Sequence, residues 1–506
     1  MKKLLALTLA AIMMMGCLAA CGAEPAAQPT EAKQPETEGA AAEETAAKVE
    51  GGIGSADAPV QVKVVIKDVF PTEEDIIALE GAIEEKMAAK GQYIDLVFAE
   101  PPASGYKSAM PLAVMNGEVD ADIIYLQGGD QPLAAQGLLE DLTPYIESSP
   151  DVQNLMDASN KEKMANYPYL LWLAPPRVQT PVVRTDVLAK VASYEALKAD
   201  PTIENYHTFL KDLKEAGGFE YAMSFFGDTN KIDSIFNQAF GVTGTCMQED
   251  GKWIFGKASQ AEKAKLQFYA DLYKEGIIDP DFLTNTWDVV EQKFYEGKVG
   301  MICGTACSVV QVYDTKMTSV AGPEAALTVL PPAKGAGQSY TAIDVTKESR
   351  GFAINVDSPN KDAAWAVLSF MASPEGRLLD KVGVEGVHYN VEGDKIVFTD
   401  KFGGWWARFW ETTQNFKPEK ELAEPVLTPA AQDSLDKVNQ YMVMDHNLLI
   451  PEEMAPQWDA LNNLYNEYAA DIIRGTKPID AFDEFVEKWN EAGGNDFAPI
   501  LAEQFG

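Results

Sequence analysis

The sequence predicts an α/β protein built around parallel sheets, and three observations carry that expectation. Short β-branched runs alternate with helix-spaced apolar residues from residue 60 to residue 125. The alternation restarts after a proline-punctuated extended stretch that ends near Thr185. The chain has 506 residues and 46% apolar content, enough for two large lobes or about three domains of ~150 residues.

Taken in order, the chain begins with Lys2 and Lys3 and an uncharged run from Leu4 to Met15, in which only Thr8 is polar. This run matches a secretory h-region and is well short of the ~20 residues a membrane-spanning helix needs. Leu18-Ala19-Ala20-Cys21 resembles a bacterial lipobox, so residues 1–21 read as a lipoprotein signal peptide. Cleavage before Cys21 would make that lipidated cysteine the new N-terminus. Cys17, behind the poorer lead-in Met14-Met15-Gly16, is the competing site, and a plain signal cut near Ala20 is the alternative. Each places the chain outside the cytoplasm. The lipobox reading anchors it to the outer face of the cell membrane, or in the periplasm of a cell with two membranes, and stable anchoring takes more than one acyl chain. Residues 22–58, rich in Ala, Glu, Pro, Thr and Gly, have too few large apolar side chains to offset ordering entropy. They are expected to form a disordered tether, its ends ~35 Å apart.

The folded part is expected to begin near Pro59. Val60 to Ile66 reads as a strand. Ile76, Leu79, Ile83 and Met87 then predict a helix over 72–90, with Thr72 as N-cap and Gly91 just past the end. Tyr93 to Ala99 is a second strand, Tyr106 to Gly117 a second helix, and Asp122 to Tyr125 a buried third strand. Such alternation implies right-handed crossovers, and ligands of parallel sheets bind outside the carboxyl ends of the strands. That rule selects the loops at Lys67-Asp68, Pro101 to Tyr106, and Tyr125 to Asp130, and with them Asp68, Tyr106, Tyr125 and Gln127. Further on, Tyr221 to Phe226 reads as a strand ending at Gly227, and Val299 to Val312 as core. Ser358-Pro359 and Ser373-Pro374 each read as an N-cap followed by Pro at the first helical position. Residues 400 to 500 read as mostly helical.

Two motifs carry a family resemblance. Gln136-Gly137-Leu138-Leu139-Glu140-Asp141-Leu142, after a buried strand, and Phe294-Tyr295-Glu296-Gly297-Lys298-Val299-Gly300-Met301 resemble the signatures of family 1 extracellular solute-binding proteins, the sugar-capturing subunits of ATP-driven importers. The order of landmarks over residues 60 to 380 resembles the maltose-binding branch. Gly383 to Tyr389 resembles a loop of large-bodied oligosaccharide-type members. The resemblance implies a two-lobed periplasmic-binding-protein-like fold with interleaved lobes and a helical C-terminal region. Lobe 1 would comprise 59–180 and 340–390, and lobe 2 would comprise 181–339 and 391–506. Maltose-type members show an aromatic soon after the signature strand, where this chain has Thr305-Ala306-Cys307, so that sugar platform is missing.

Composition excludes several chemistries. The formal net charge is −36, and −38 once Lys2 and Lys3 leave with the leader, which disfavours nucleic acid and anionic lipid head groups as partners. Cys246, Cys303 and Cys307 remain after Cys21, an odd number that argues against a disulfide framework and reads as small buried hydrophobes. There is no phosphate loop, zinc-protease or nucleophile-elbow motif, and only His207, His388 and His446 could serve imidazole chemistry. With 77 carboxylates, pairs that could act as glycosidase acids have no discriminating value. Asp228-Thr229-Asn230 resembles the opening of a calcium loop that Ile232 and Ser234 break. No metal and no cofactor are therefore expected.

Sugar sites pair flat rings with hydrogen-bonding side chains. The densest aromatic cluster, Phe402 to Trp410, suggests a loop entering a helix that offers one ring, Trp405 or Trp406, outward; helix core for all three tryptophans is the alternative. Phe226, Trp287, Glu385 and His388 complete the candidate ligand residues. The reading is a monomeric, non-enzymatic binding lipoprotein that captures a carbohydrate, most simply an oligosaccharide, in an interlobe cleft. It would deliver that ligand to permease subunits and, through them, to a cytoplasmic ATPase. A surface-anchored glycoside hydrolase or lyase, and a binding protein for peptides or other non-sugar solutes, are the alternatives.

Overall fold

The computed structural model describes residues 52–103, 105–410 and 416–505. Cys21 and residues 22–51 of the tether lie outside them. The far end of the tether is not free. The Ile53 carbonyl accepts from the Tyr93 amide at 2.7 Å, and Ile53 packs on the first core. Ile53 is a large apolar residue in an otherwise small and polar stretch, so the folded body begins there and not at Pro59.

The first sheet has the order Gly351–Ile354, Ile123–Leu126, Val60–Val65, Ile94–Phe98. The last three strands run parallel, as their alternation with the helices Glu74–Ala88 and Tyr106–Met115 requires. Gly351–Ile354 closes the sheet antiparallel to Ile123–Leu126, with Gly351 opposite Leu126. Gly351 must be glycine, because its φ is +155° and a Cβ there would lie 2.8 Å from the Leu171 carbonyl oxygen.

The second sheet has the order Tyr221–Met223, Val299–Thr305, Gln179–Arg184, Leu327–Val329. Gln179–Arg184 runs antiparallel to both neighbours, and Tyr221–Met223 runs parallel to the signature strand. Each sheet has its own apolar core, so the molecule is a two-lobed α/β protein. The chain leaves the first core after Ala174, returns to it at Phe352, and leaves again after Trp410. The lobes are thus interleaved.

Several local expectations need correction. The helix expected over 72–90 spans Glu74–Ala88 with Glu73 at its N-cap, so Thr72 does not cap it. Ser358 does not cap its helix either. Its hydroxyl donates to Asp122 at 2.5 Å, and the helix starts at Lys361 behind Asn360. Ser373 does cap, accepting from the Gly376 amide at 3.2 Å. Phe402 to Trp410 is not helical beyond a short 3-10 turn, Asp400–Gly404, which gives way to irregular chain. Trp405, Phe409 and Trp410 lie in the first core, although residues 391–506 were expected with lobe 2. The reason is packing: Phe409 stacks on Phe352 of the returning strand at 5.5 Å. Residues 448–501 do contribute to the second core, largely from the helices Ala455–Ile473 and Ala481–Glu491.

Candidate functional site

Between the two sheets, the first and second passages of the chain lie side by side, with Arg177 bridged to Ile343. The segment Tyr340–Ala342 pairs with Met442–Met444, and the Asp445 amide donates to the Ala342 carbonyl at 3.0 Å. Leu126, at the carboxyl end of its strand, pairs with Gly351 beside the second passage, and Thr305, at the carboxyl end of the signature strand, pairs with Gln179 beside the first.

On the first lobe the selected residues do converge. The Tyr106 hydroxyl donates to the Tyr125 carbonyl at 2.7 Å. The Tyr125 hydroxyl in turn accepts from Arg350 Nη1 at 3.1 Å and from Gln127 Nε2 at 3.4 Å. Both tyrosines are buried and Gln127 is half-buried. Burial, followed by the charges of Tyr125 and Asp68, raises the Tyr106 phenol far above its ordinary range. Asp68 is exposed just past its strand, with φ at +59°, and pairs with Lys67.

Arg350 belongs to a buried ionic group at the junction. Glu348 accepts from Arg177 through Nη2, and through Nε at 3.3 Å, and pairs with Arg350 Nε at 3.1 Å. Lys163 donates to the Glu348 carbonyl oxygen and lies 4.5 Å from the Tyr167 ring. Burial pushes the Glu348 carboxyl up, but Arg177 and Arg350 outweigh it and hold the group below the usual carboxylate range. Burial pushes the Lys163 ammonium down to about 8.

On the second lobe, Phe226 and Trp287 form a T-shaped pair with centroids 6.0 Å apart, both half-buried. The Lys231 ammonium lies 5.3 Å from the Phe226 ring and 5.5 Å from the Trp287 ring, and donates to Gln179 Oε1 at 3.2 Å. Beside it lies a cavity of about 310 Å³. Its walls come from the passages (Arg177, Gln179, Thr341, Ile343), from the helix Asn230–Phe240 (Asn230, Asp233, Asn237), and from Lys257, Glu262, Lys265, Asp445 and Tyr465. Within that wall Lys265 is held by Asp233 at 2.8 Å and Glu262 at 2.9 Å. Lys257 is held by Asn462 Oδ1 at 2.8 Å, and burial lowers its pKa. Among the described residues no cluster of His, Cys, Asp and Glu could hold a metal ion.

The remaining candidates sit apart from this junction. His388 is fully buried: its Nδ1 accepts from the Val384 amide at 3.0 Å and its Nε2 lies 3.1 Å from Asp75 Oδ1. Its ring lies 4.2 Å from that of Trp405. It is a positioned structural group, so the reading of His388 as a ligand contact is corrected. Trp405 is also buried, its indole nitrogen donating to the Asp380 carbonyl at 3.0 Å. Trp406 remains half-buried, and the Arg408 guanidinium stacks on both tryptophans at 4.2 and 4.3 Å. Glu385 is exposed on a turn bridged to Tyr389.

Sequence reasoning missed Arg177, Lys231, Glu348, Arg350 and the cavity wall. Arg177 carried one usable signal, a lone charge directly after Pro175-Pro176 in an otherwise apolar passage. Lys231 carried none, because Gln179 and Trp287, which with Phe226 surround its ammonium, lie far off in sequence.

A two-lobed fold with a polar and aromatic junction between its sheets defines a ligand-capturing protein. The chain belongs to the bacterial extracellular solute-binding protein family, which it matches over residues 73–378. It is similar to lipoprotein LipO of Bacillus subtilis (strain 168), 22% identical over 437 residues, with 79% of this chain and 84% of LipO covered. Its fold is similar to that of the alginate-binding protein AlgQ2 (TM-score 0.67, 17% identity, 90% of this chain and 99% of that one covered). It is also similar to the N-glycan transport solute-binding protein NgtS of Streptococcus pneumoniae (TM-score 0.63, 17% identity, 88% and 98%). Family and neighbours alike are binding proteins. Among the described residues no helix is long and apolar enough to cross a membrane.

Proposed function

We propose that this chain is the substrate-binding lipoprotein of an ABC importer. It captures a carbohydrate, an oligosaccharide by analogy with the N-glycan and alginate proteins of like fold, and hands it to separate permease subunits served by an ATPase. The lipid on Cys21 keeps it at the outer face of the membrane.

The observation that supports the carbohydrate reading best is the Phe226–Trp287 pair set beside Lys231, Gln179 and the cavity of about 310 Å³. Flat rings adjoining directional donors and acceptors suit a sugar, whose apolar C–H faces alternate with hydroxyl rims. The alginate and N-glycan proteins of like fold agree with it. Tyr125, Gln127 and Asp68 would supply the first-lobe half. The test is a thermal-shift screen of the mature chain against neutral and acidic glycans, with each hit checked for product formation. A stabilising glycan that is recovered intact supports the reading, a glycan that is cleaved points to a hydrolase or lyase, and stabilisation by peptides alone overturns the carbohydrate assignment.

A further inference from the structure

The ligand's charge can be taken further than the class of ligand. The chain as a whole carries −36, yet the junction gathers Lys163, Arg177, Lys231 and Arg350. Glu348 is the carboxylate both arginines share. Lys231 stands out among them. Among the described residues no carboxylate oxygen comes within the 4.0 Å of an ion pair, and its partners are the neutral Gln179 amide and two rings. The acidic groups around it are engaged elsewhere. Asp228 accepts from the Asn230 amide at 2.9 Å and from its side chain at 2.6 Å. Asp233 accepts from Thr229 at 2.8 Å and Tyr269 at 3.0 Å and pairs with Lys265. Burial acts most strongly on Lys231; the charges of Arg177 and Arg350 act on it as like-charge neighbours, and Asp228, itself bonded to Asn230, is the acidic group that opposes them.

Holding a largely desolvated cation beside two others costs free energy that a neutral sugar would not offset. An anion placed there would. A protein this acidic also repels anions at long range, so capture of one requires a local cationic focus. Resting on the carbohydrate reading above, we propose that the ligand is an acidic sugar, and that a ring carboxylate of the uronate type is taken by Lys231 with Arg177 and Arg350 behind it. Burial brings the Lys231 ammonium down to about 8, which leaves it protonated at neutral pH.

The experiment is calorimetry of the mature chain with oligomers of galacturonic, glucuronic and mannuronic acid, each beside its carboxyl-reduced counterpart. At least one acid should bind about tenfold or more tightly than its reduced form, the range of a charge-assisted hydrogen bond, and its affinity should fall as salt is raised. Lys231→Met should remove most of that preference, and Lys231→Arg should keep it. Equal affinity for acid and reduced forms, or a preference that survives Lys231→Met, overturns the proposal. Should Lys231→Met not fold, salt dependence of the unaltered chain decides, and salt-independent binding of the acid overturns it. If only neutral glycans bind, this inference fails and the carbohydrate reading stands. If glycans of neither charge bind, the carbohydrate reading itself fails.

Discussion

Trp405 and Trp406 are adjacent in sequence and differ in environment, and their substitutions should differ accordingly. Trp405→Ala removes a buried ring from the first core and leaves His388 and Arg408 without their neighbour, so a loss of about 3–5 kcal/mol in stability is expected. Trp406→Ala takes away a half-buried ring and should cost roughly 1 kcal/mol. Chemical denaturation of the two variants checks the contrast. His388 gives a pH prediction. Burial lowers its pKa from 6.5, with Asp75 opposing, and the Val384 amide already occupies Nδ1. The unfolded chain therefore binds the proton more readily, so this stabilisation is fully present above pH 6.5 and is lost as pH falls below it. The melting temperature of His388→Gln should decline less below that pH than that of the unaltered chain. At this scale the sequence placed Tyr106 at a helix start and Tyr125 near a strand end, because element ends follow from local patterning. It concealed Lys231 and Arg177, because a cation becomes unusual only when distant segments set its surroundings.

Among elements, the passages between lobes depend on the Arg177–Glu348 pair, whose side chains are 11% and 18% exposed. Arg177→Met should destabilise by roughly 3 kcal/mol, the low end for breaking a buried pair, because Arg350 still partners Glu348. Denaturant titration would show it, and a change under about 1 kcal/mol would mean the pair is solvated. The strands and helices from Val60 to Leu126 were legible because apolar periodicity specifies them, whereas the short helices between Gln131 and Asn166 carry too few turns to show it. The small sheet of Tyr389–Glu392, Lys395–Phe398 and Glu421–Leu422 was not read. Its signal was present in Gly393-Asp394, a two-residue connection between the first two of those strands, but the strands are only two to four residues long. The irregular path of Trp405 to Trp410 escaped for another reason. Asp380 accepts from the Arg408, Phe409 and Trp410 amides at 2.7, 3.0 and 3.1 Å. A side chain from another element thus satisfies the backbone that a helix would otherwise have paired.

For the molecule as a whole, a ligand that touches Tyr125 and Gln127 on one lobe and Phe226 and Lys231 on the other should draw the lobes together about the passages. Small-angle scattering with a saturating ligand should then report a smaller radius of gyration, and an unchanged radius would indicate a preformed groove. Cys21→Ala should leave a folded protein that no longer sediments with membranes, and full retention would reject lipidation at that residue. The interleaving of the lobes also bears on how the molecule comes to exist. A chain emerging from its N-terminus makes three strands of the first sheet long before Gly351–Ile354, which arrives only after the whole second sheet. Until then Ile123–Leu126, every residue of which ends buried, is an open apolar edge able to pair with another nascent chain. The first lobe therefore cannot mature ahead of the second, and a chain halted before residue 351 is an aggregation-prone fragment, not half a protein.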